Sequence, residues 1–182
     1  MAFNCSIILS DIDINCSKRV TGGIKKAILA LQSDVTITFD PSDETQVTNV
    51  DLIKADTAVF EHNTKDATTN FTESKSTSNG LGVVNTNITI QAPCVDNKIN
   101  KIDYMSRRED IVCVLLHNND TVTISGWMDG LTMNYEANSG VSTSEKSYVN
   151  ITLTTESGIA SLGFERLDSN GNEIFTDPTI FD

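Results

Sequence analysis

Ile111-Val-Cys-Val-Leu-Leu116, His117-Asn-Asn-Asp120 and Thr121-Val-Thr-Ile-Ser-Gly126 follow one another along the chain. The first and third runs are rich in the β-branched and aliphatic residues that favour strands. The polar run between them contains Asn and Asp, which favour turns. Residues 111–126 therefore predict a β-hairpin, and they indicate a β-rich fold.

Similar β-prone runs recur on both sides of this hairpin. Residues 24–31 fit a strand or a short helix, and their place between Gly22-Gly23 and the strand-like 35–39 favours a strand. A last hairpin is predicted over 164–175, with Asn170-Gly171 as its turn. The remaining predicted strands are 35–39, 47–53, 57–62, 83–90, 127–135 and 148–155. Strands that recur about every 8 to 12 residues are typical of β-sandwiches and barrels. The sequence therefore predicts a mainly β chain that forms a single β-sandwich or barrel-like domain over 1–182.

One helix is expected, over residues 95–110. Ile99, Ile102, Tyr104 and Met105 fall near one face at helical spacing. The sequence thus predicts a single α-helix flanking the β-structure.

Two segments are predicted to lie outside the regular core. Residues 1–21 have no clear periodicity and are expected to form an N-terminal arm. Residues 61–79 are almost wholly polar, with Ala67 and Phe71 as the residues able to bury. This pattern fits a mobile loop, an exposed hairpin closed near residues 79–82, or an arm ordered by a neighbouring subunit.

Charge limits the classes of partner. The 182 residues contain 13 Lys and Arg against 25 Asp and Glu, a net charge of −12. Because phosphate contacts need a cationic surface, this excess argues against nucleic-acid binding through the whole surface. No long apolar run predicts a membrane span, and the N-terminus lacks the features of a signal peptide. The cysteines are therefore expected to be reduced; they are Cys5, Cys16, Cys94 and Cys113.

No residue pattern indicates catalysis, a cofactor or a metal. The sequence contains no Gly-x-Ser-x-Gly, no His-Glu-x-x-His and no Gly-rich phosphate-binding loop, and Cys113 lies in an apolar run typical of a core. Asp168, Asn170 and Asn172 resemble the start of a calcium loop, but the sixth and twelfth positions do not fit, so a hairpin turn is favoured. His62 and His117 lack metal-ligand spacing. A non-enzymatic protein is expected.

The densest basic cluster contains Lys98, Lys101, Arg107 and Arg108. Two interpretations stay open. The cluster would meet an acidic partner, including a second copy of this chain, or it would be a solvated helix face. With Phe71 of the polar segment, these residues are the candidate subunit interface.

The stretch 110–157 resembles phage tail tube-like structural proteins, especially those of phages of Bacteroides-type hosts. The shared order is an apolar strand, a polar turn, a strand ending in Gly, and an aromatic-x-x-Gly-Leu step, here Trp127-Met-Asp-Gly-Leu131. A Ser/Gly-rich loop, Asn138-Ser-Gly-Val-Ser-Thr-Ser144, then leads into the alternating run 148–155. Gly22-Gly-Ile-Lys-Lys26 resembles the family's first strand. In all, about 70 residues carry the resemblance.

The resemblance implies a β-sandwich subunit that assembles with itself into rings, usually of six, which stack into a tube. DNA would pass through as cargo that does not stick, since acidic walls repel phosphate. Other tail proteins would be partners, and the virion tail would be the location after assembly in the host cytoplasm. A carbohydrate- or cell-surface-binding β-sandwich is the alternative, with Trp127 and Tyr135 as an aromatic platform.

Overall fold

The computed structural model describes residues 23–52, 58–61, 68–78, 81–93, 99–138 and 148–177. It is mainly β, as predicted, with one α-helix and a short 3₁₀ turn, Gln32–Asp34, among these residues. The elements are β1 (Ile24–Leu31), β2 (Val35–Asp40), β3 (Asp43–Leu52), β4 (Ala58–Glu61), β5 (Thr68–Ser78), β6 (Leu81–Pro93), α1 (Ile99–Ser106), β7 (Ile111–His117), β8 (Thr121–Ser125), β9 (Thr132–Asn138), β10 (Tyr148–Ser157) and β11 (Leu162–Glu165).

The strands form three antiparallel sheets. A five-stranded sheet has the order β11-β8-β7-β1-β4, and a four-stranded sheet has the order β5-β6-β10-β9. Strands β2 and β3 form a separate two-stranded ribbon. The predicted 111–126 hairpin is confirmed as β7 paired with β8, and residues 24–31 form strand β1 rather than a helix.

The five-stranded sheet is the middle layer of the sandwich. One of its faces packs on the four-stranded sheet and α1 and forms the first core. The other face packs on the ribbon and residues 174–175 and forms the second core. Alternate residues of β7 point into these two cores, so all six residues of 111–116 are buried. Burial on both faces explains why this run is continuously apolar instead of alternating.

The helix is shorter than predicted at its C-terminal end. It ends at Ser106, since the N–H groups of Arg107 and Arg108 bond the carbonyls of Tyr104 and Met105, three residues back. These i to i−3 bonds tighten the chain and end the α-helix. Ile102 and Met105 are buried as predicted, but Tyr104 is 56% exposed. The predicted start at 95 lies outside the described residues.

The predicted strand 127–135 was wrong in its first part. Strand β9 begins at Thr132, and residues 126–130 form a turn in which Gly126 and Gly130 have φ of 75° and 73°. The Gly130 N–H donates to the Gly126 carbonyl over 3.0 Å, and Leu131 N–H donates to the Ile111 carbonyl over 2.8 Å. The aromatic-x-x-Gly-Leu step is therefore a tight turn against β7.

The predicted hairpin 164–175 is only partly present. Its turn is confirmed, with Gly171 at φ 82°. Leu167 and Glu173 form a single bridge, but β11 pairs with β8, and Phe175 bridges Val50 of β3 in parallel. Packing of Phe175 into the second core draws the returning chain away from β11.

Of the alternatives predicted for the polar segment 61–79, the structure shows the hairpin. Strand β5 pairs with β6 over eleven residue pairs, from Thr68↔Gln91 to Ser78↔Leu81. The loop alternative is therefore wrong for residues 68–78, which belong to the four-stranded sheet. Residues 62–67 and 79–80, and the N-terminal arm 1–21, lie outside the described residues.

Candidate functional site

The outer face of the four-stranded sheet is a polar surface with few charges. Strand pairing aligns its side chains in rows: Asn150 lies between Gln91 and Glu136, and Thr152 lies between Thr89 and Asn134. The residues on this face include Thr68, Asn70, Thr72, Ser74, Ser76, Val83, Asn85, Asn87, Thr89, Gln91, Thr132, Asn134, Glu136, Asn138, Tyr148, Asn150, Thr152, Thr154 and Glu156. The only charges in this set are two carboxylates, and none of these positions carries Lys or Arg.

This surface was missed at the sequence level, although its signal is visible. In 85–91 and 150–156 every second residue is Asn, Thr, Gln or Glu, and the residues between are mostly apolar. Burial follows the alternation, since Ile88 and Ile151 are buried while Thr89 is exposed. The alternation predicts two strands, but only their pairing brings the polar side chains together.

A shallow depression of about 480 Å³ lies on this face. Its polar lining includes the side chains of three amide residues, Gln91, Asn134 and Asn150, together with Glu136 and Thr hydroxyl groups. Such a lining offers many hydrogen-bond donors and acceptors and little charge.

Neither edge of the four-stranded sheet carries a further strand in the described part of the chain, and α1 packs beside β9. Strand β5 forms one edge and β9 the other, and each pairs with a single neighbouring strand. Neither pairing has a register shift, and neither edge strand contains Pro. Long edge strands without bulges or Pro present unpaired N–H and C=O groups to a further strand.

The β5–β6 hairpin is anchored to the body of the sandwich by Glu73. Its carboxylate accepts hydrogen bonds from the Ser161 N–H at 3.0 Å and hydroxyl at 2.6 Å, and from the Thr86 hydroxyl at 3.2 Å. The Ser161 hydroxyl also lies 2.8 Å from that of buried Ser125. Residues 68–78 are therefore held by contacts within their own chain.

The arginines of the predicted basic cluster are paired within the chain. Arg107 donates to Asp103 at 2.6 Å, and Arg108 forms a two-point pair with Asp110 at 2.7 and 2.5 Å. Hydrogen bonds from Arg108 hold the pKa of the Asp110 carboxyl below its ordinary value. Lys101 lies in α1, and Lys98 lies outside the described residues. The two arginines therefore present little unbalanced positive charge to a partner.

The aromatic candidates lie in three environments. Phe71 is half-buried against the core between the two large sheets. Trp127 packs against the second core, 5.7 Å from the Phe39 ring, and its indole N–H bonds the Ala160 carbonyl. Tyr135 packs on the first core and donates to Asp103 at 3.1 Å, which raises the pKa of its hydroxyl. Trp127 and Tyr135 pack against different cores, so their placement does not support a shared platform.

Of the titratable residues that the sequence analysis considered for metal binding or catalysis, Asp168, His117 and Cys113 are described; Asp168 and His117 have hydrogen-bond partners and Cys113 is buried. The Asp168 carboxylate accepts N–H bonds from Asn170 and Asn172, both at 2.8 Å, so the calcium-like sequence forms a hydrogen-bonded turn. His117 lies 2.9 Å from the Thr123 hydroxyl, and partial burial lowers its pKa. Cys113 is a free, fully buried thiol. The described residues contain no group of His, Cys, Asp and Glu suited to a metal ion.

In the part of the chain that the structure describes, no helix has the length and apolarity needed to cross a membrane. Compared with protein-family models, with curated proteins and with solved structures, the chain finds no match in any of the three.

Proposed function

We propose that this chain is a non-enzymatic structural subunit of a phage tail, a tube subunit that assembles with itself into stacked rings around a DNA channel. The resemblance of residues 110–157 motivates the proposal. The observation that carries it is the four-stranded sheet: among the described residues, each of its two edge strands pairs with one strand only, and its outer face has no Lys or Arg.

The open edges supply the means of assembly. Strand β5 of one subunit would pair with β9 of the next, a heterologous contact that makes a ring when its rotation closes. Closure would join the four-stranded sheets of all subunits into one continuous barrel and leave no edge of that sheet exposed. The seven residues of β9 match part of the eleven of β5, so a paired edge of about seven residues is available.

The outer face supplies the channel wall. A surface of Thr, Asn, Gln and Ser with carboxylates at Glu136 and Glu156 provides no cation to bind phosphate. Its carboxylates repel DNA only within about 8–10 Å at physiological salt. DNA would therefore slide along a hydrated wall without binding to it.

Edge variants test the assembly. Asn134→Lys on β9 and Thr72→Lys on β5 add a cation to each edge strand, and we expect both to shift rings and tubes toward monomers in mass photometry and negative-stain microscopy. Thr89→Lys is the matched control, since it adds the same charge to the same face on central strand β6. A wild-type protein that stays monomeric at every concentration, also with other tail proteins present, would overturn the proposal.

The control variant also tests the channel. Assembled wild-type protein should retain no DNA at physiological salt, whereas assembled Thr89→Lys should retain it in a salt-dependent manner. Equal retention by the two proteins would show that this face does not line the channel.

A second candidate function is the binding of a neutral saccharide, favoured by the depression on the same face. A volume of about 480 Å³ is in the range of small-ligand sites, and amides beside hydroxyls match the hydrogen-bonding groups of a sugar. Of the two predicted aromatic residues, Tyr135 lines this depression and Trp127 does not; Asn150, Asn134 and Gln91 are added as candidates.

A glycan array separates the two functions. A saccharide-binding protein would bind a defined glycan, lose on the order of tenfold in affinity with Asn150→Ala, and keep its affinity with Trp127→Ala. A tube subunit would show no glycan preference.

A further inference from the structure

The depression on the outer face of the four-stranded sheet has one charged end. Strand pairing places four residues side by side in a row that crosses the sheet: Thr68 of β5, Gln91 of β6, Asn150 of β10 and Glu136 of β9. All four line the depression. Three strand spacings separate the two ends of the row, roughly 14 Å, which is long enough for a short oligosaccharide. The row is neutral at Thr68 and negative at Glu136.

The side chains of this row are available to a ligand. Gln91 and Asn150 are half-buried, and Glu136 is exposed. Within the described part of the chain, none of these three side chains has a hydrogen bond or an ion pair. By contrast, the carboxylates of Glu73 and Asp110 are bound by partners in their own chain. A ligand that binds in the depression would therefore not have to displace an internal bond.

The chemistry of Glu136 differs from that of the rest of the row. A carboxylate only accepts hydrogen bonds, whereas amides both donate and accept them. The hydroxyl groups of a ligand therefore suit Gln91 and Asn150, but the ligand group beside Glu136 has to be a donor. A cationic donor forms the stronger bond there, because a charge-assisted hydrogen bond is shorter and stronger than a neutral one.

The charges of this face and of the whole chain distinguish between classes of saccharide. The described residues of the face include no Lys or Arg, so a carboxylate, sulfate or phosphate group on a sugar would find no cation to bind. The net charge of −12 also repels an acidic ligand and attracts a basic one. Together with the position of Glu136, this charge favours an otherwise neutral saccharide that carries an amino group.

We propose that the depression binds an amino saccharide, with the sugar hydroxyls along Gln91 and Asn150 and the ammonium group against the Glu136 carboxylate. The inference rests on the saccharide-binding function proposed above and narrows its class of ligand. In this arrangement the two amides bind the sugar whatever its charge. Glu136 is the residue that determines the preference for an amino sugar.

A pair of matched probes tests the preference. Oligomers of glucosamine and of N-acetylglucosamine have the same sugar ring, and acetylation removes the positive charge. In titration calorimetry, at a pH where the amine is protonated, the wild-type protein should bind the glucosamine oligomer about three- to tenfold more tightly. This difference should shrink as salt is added, because salt screens an exposed charge pair.

Two variants show where the preference arises. Glu136→Gln keeps the size of the side chain and removes its charge, so the affinity for the glucosamine oligomer should fall toward that for the N-acetyl form. Glu156→Gln is the matched control, since it removes the other carboxylate of the same face, which does not line the depression. It should leave both affinities unchanged. An equal loss of affinity in the two variants would overturn the proposal, because net charge and not position would then govern binding.

The outcomes separate this inference from the function on which it rests. Equal affinity for the two oligomers, or binding of other glycans only, would overturn the amino-sugar preference and leave saccharide binding standing. An absence of binding to every glycan would overturn both. Diaminobutane is the competitor that supplies an ammonium group without a sugar. Displacement of the glucosamine oligomer by an equal concentration of diaminobutane would assign the depression to an alkylammonium ion and overturn the proposal.

Discussion

The carboxylate of Glu73 bonds both the N–H and the hydroxyl of Ser161, 88 residues further along the chain. This contact joins the edge strand β5 to the connection between β10 and β11. It links the two large sheets near one end of the sandwich, because β11 belongs to the five-stranded sheet. The polar hairpin is thereby part of the folded subunit.

Removing this contact should loosen the hairpin. We expect Glu73→Ala to lower the free energy of unfolding by about 1 kcal/mol, because a charge-assisted hydrogen bond at an exposed site is lost. Urea denaturation measures the change. Lys75→Gln, two residues along the same strand, is the control and should have little effect.

Trypsin reports the same loosening locally. The Lys75–Ser76 bond lies within β5 and should resist cleavage in the wild-type monomer, whereas Glu73→Ala should be cut there faster. Equal cleavage rates in the two proteins would contradict an anchoring role for Glu73.

The turn before β9 depends on glycine. A side chain at Gly130 would meet the backbone of Glu109 and Asp110 at a positive φ, so Gly130→Ala should destabilise the protein by about 3 kcal/mol. Gly163→Ala, in open space at ordinary φ, should be neutral or stabilising by about 0.5–1 kcal/mol. Thermal unfolding compares the two, and similar losses would refute the turn geometry.

The pair of Arg108 and Asp110 should make stability depend on acidity. In the folded state the pKa of Asp110 is below its ordinary value of 3.8. The pair therefore contributes its full stabilisation at a pH above the pKa of the unfolded chain, and this contribution is lost as the pH falls through the lower pKa of the folded protein. In Arg108→Gln the carboxyl should titrate closer to its ordinary pKa, measured by carbon NMR. Arg107→Gln, which removes one of the two partners of Asp103, should leave the Asp110 titration unchanged.

The buried thiol of Cys113 should be unreactive in the folded protein. Burial removes it from solvent and raises its pKa, so little thiolate forms. In a variant with the other cysteines replaced by Ser, labelling by a thiol reagent should proceed at the rate of global unfolding. Fast labelling under native conditions would mean that β7 is not buried on both faces.

Local patterns predicted most strands and two turns correctly. The hairpin of β7 and β8 could be predicted because two β-prone runs are adjacent in sequence and flank turn-forming residues. The alternation in 148–155 likewise corresponds to β10. These signals come from near neighbours, for which side-chain period and turn chemistry suffice.

Errors arose where a distant contact decided the local structure. The turn 126–130 is set by the approach of Gly130 and Leu131 to the start of β7, and Phe175 pairs with Val50 instead of returning along β11. The carboxylates that pair with Arg107 and Arg108 are local, four and two residues away, and the i,i+4 spacing of Asp103 and Arg107 is a signal visible in the sequence. Trp127 and Tyr135 are close in sequence but pack on different cores.

By itself, the sequence determined that this chain is mainly β, acidic, and rich in strands with one polar face, because composition and period-two alternation act locally. Only the tertiary structure decided which polar faces adjoin and which strand edges stay open. Those features depend on strand order and register between segments far apart in the chain, such as β6 with β10. The residue pattern of a single strand does not specify which other strand it pairs with.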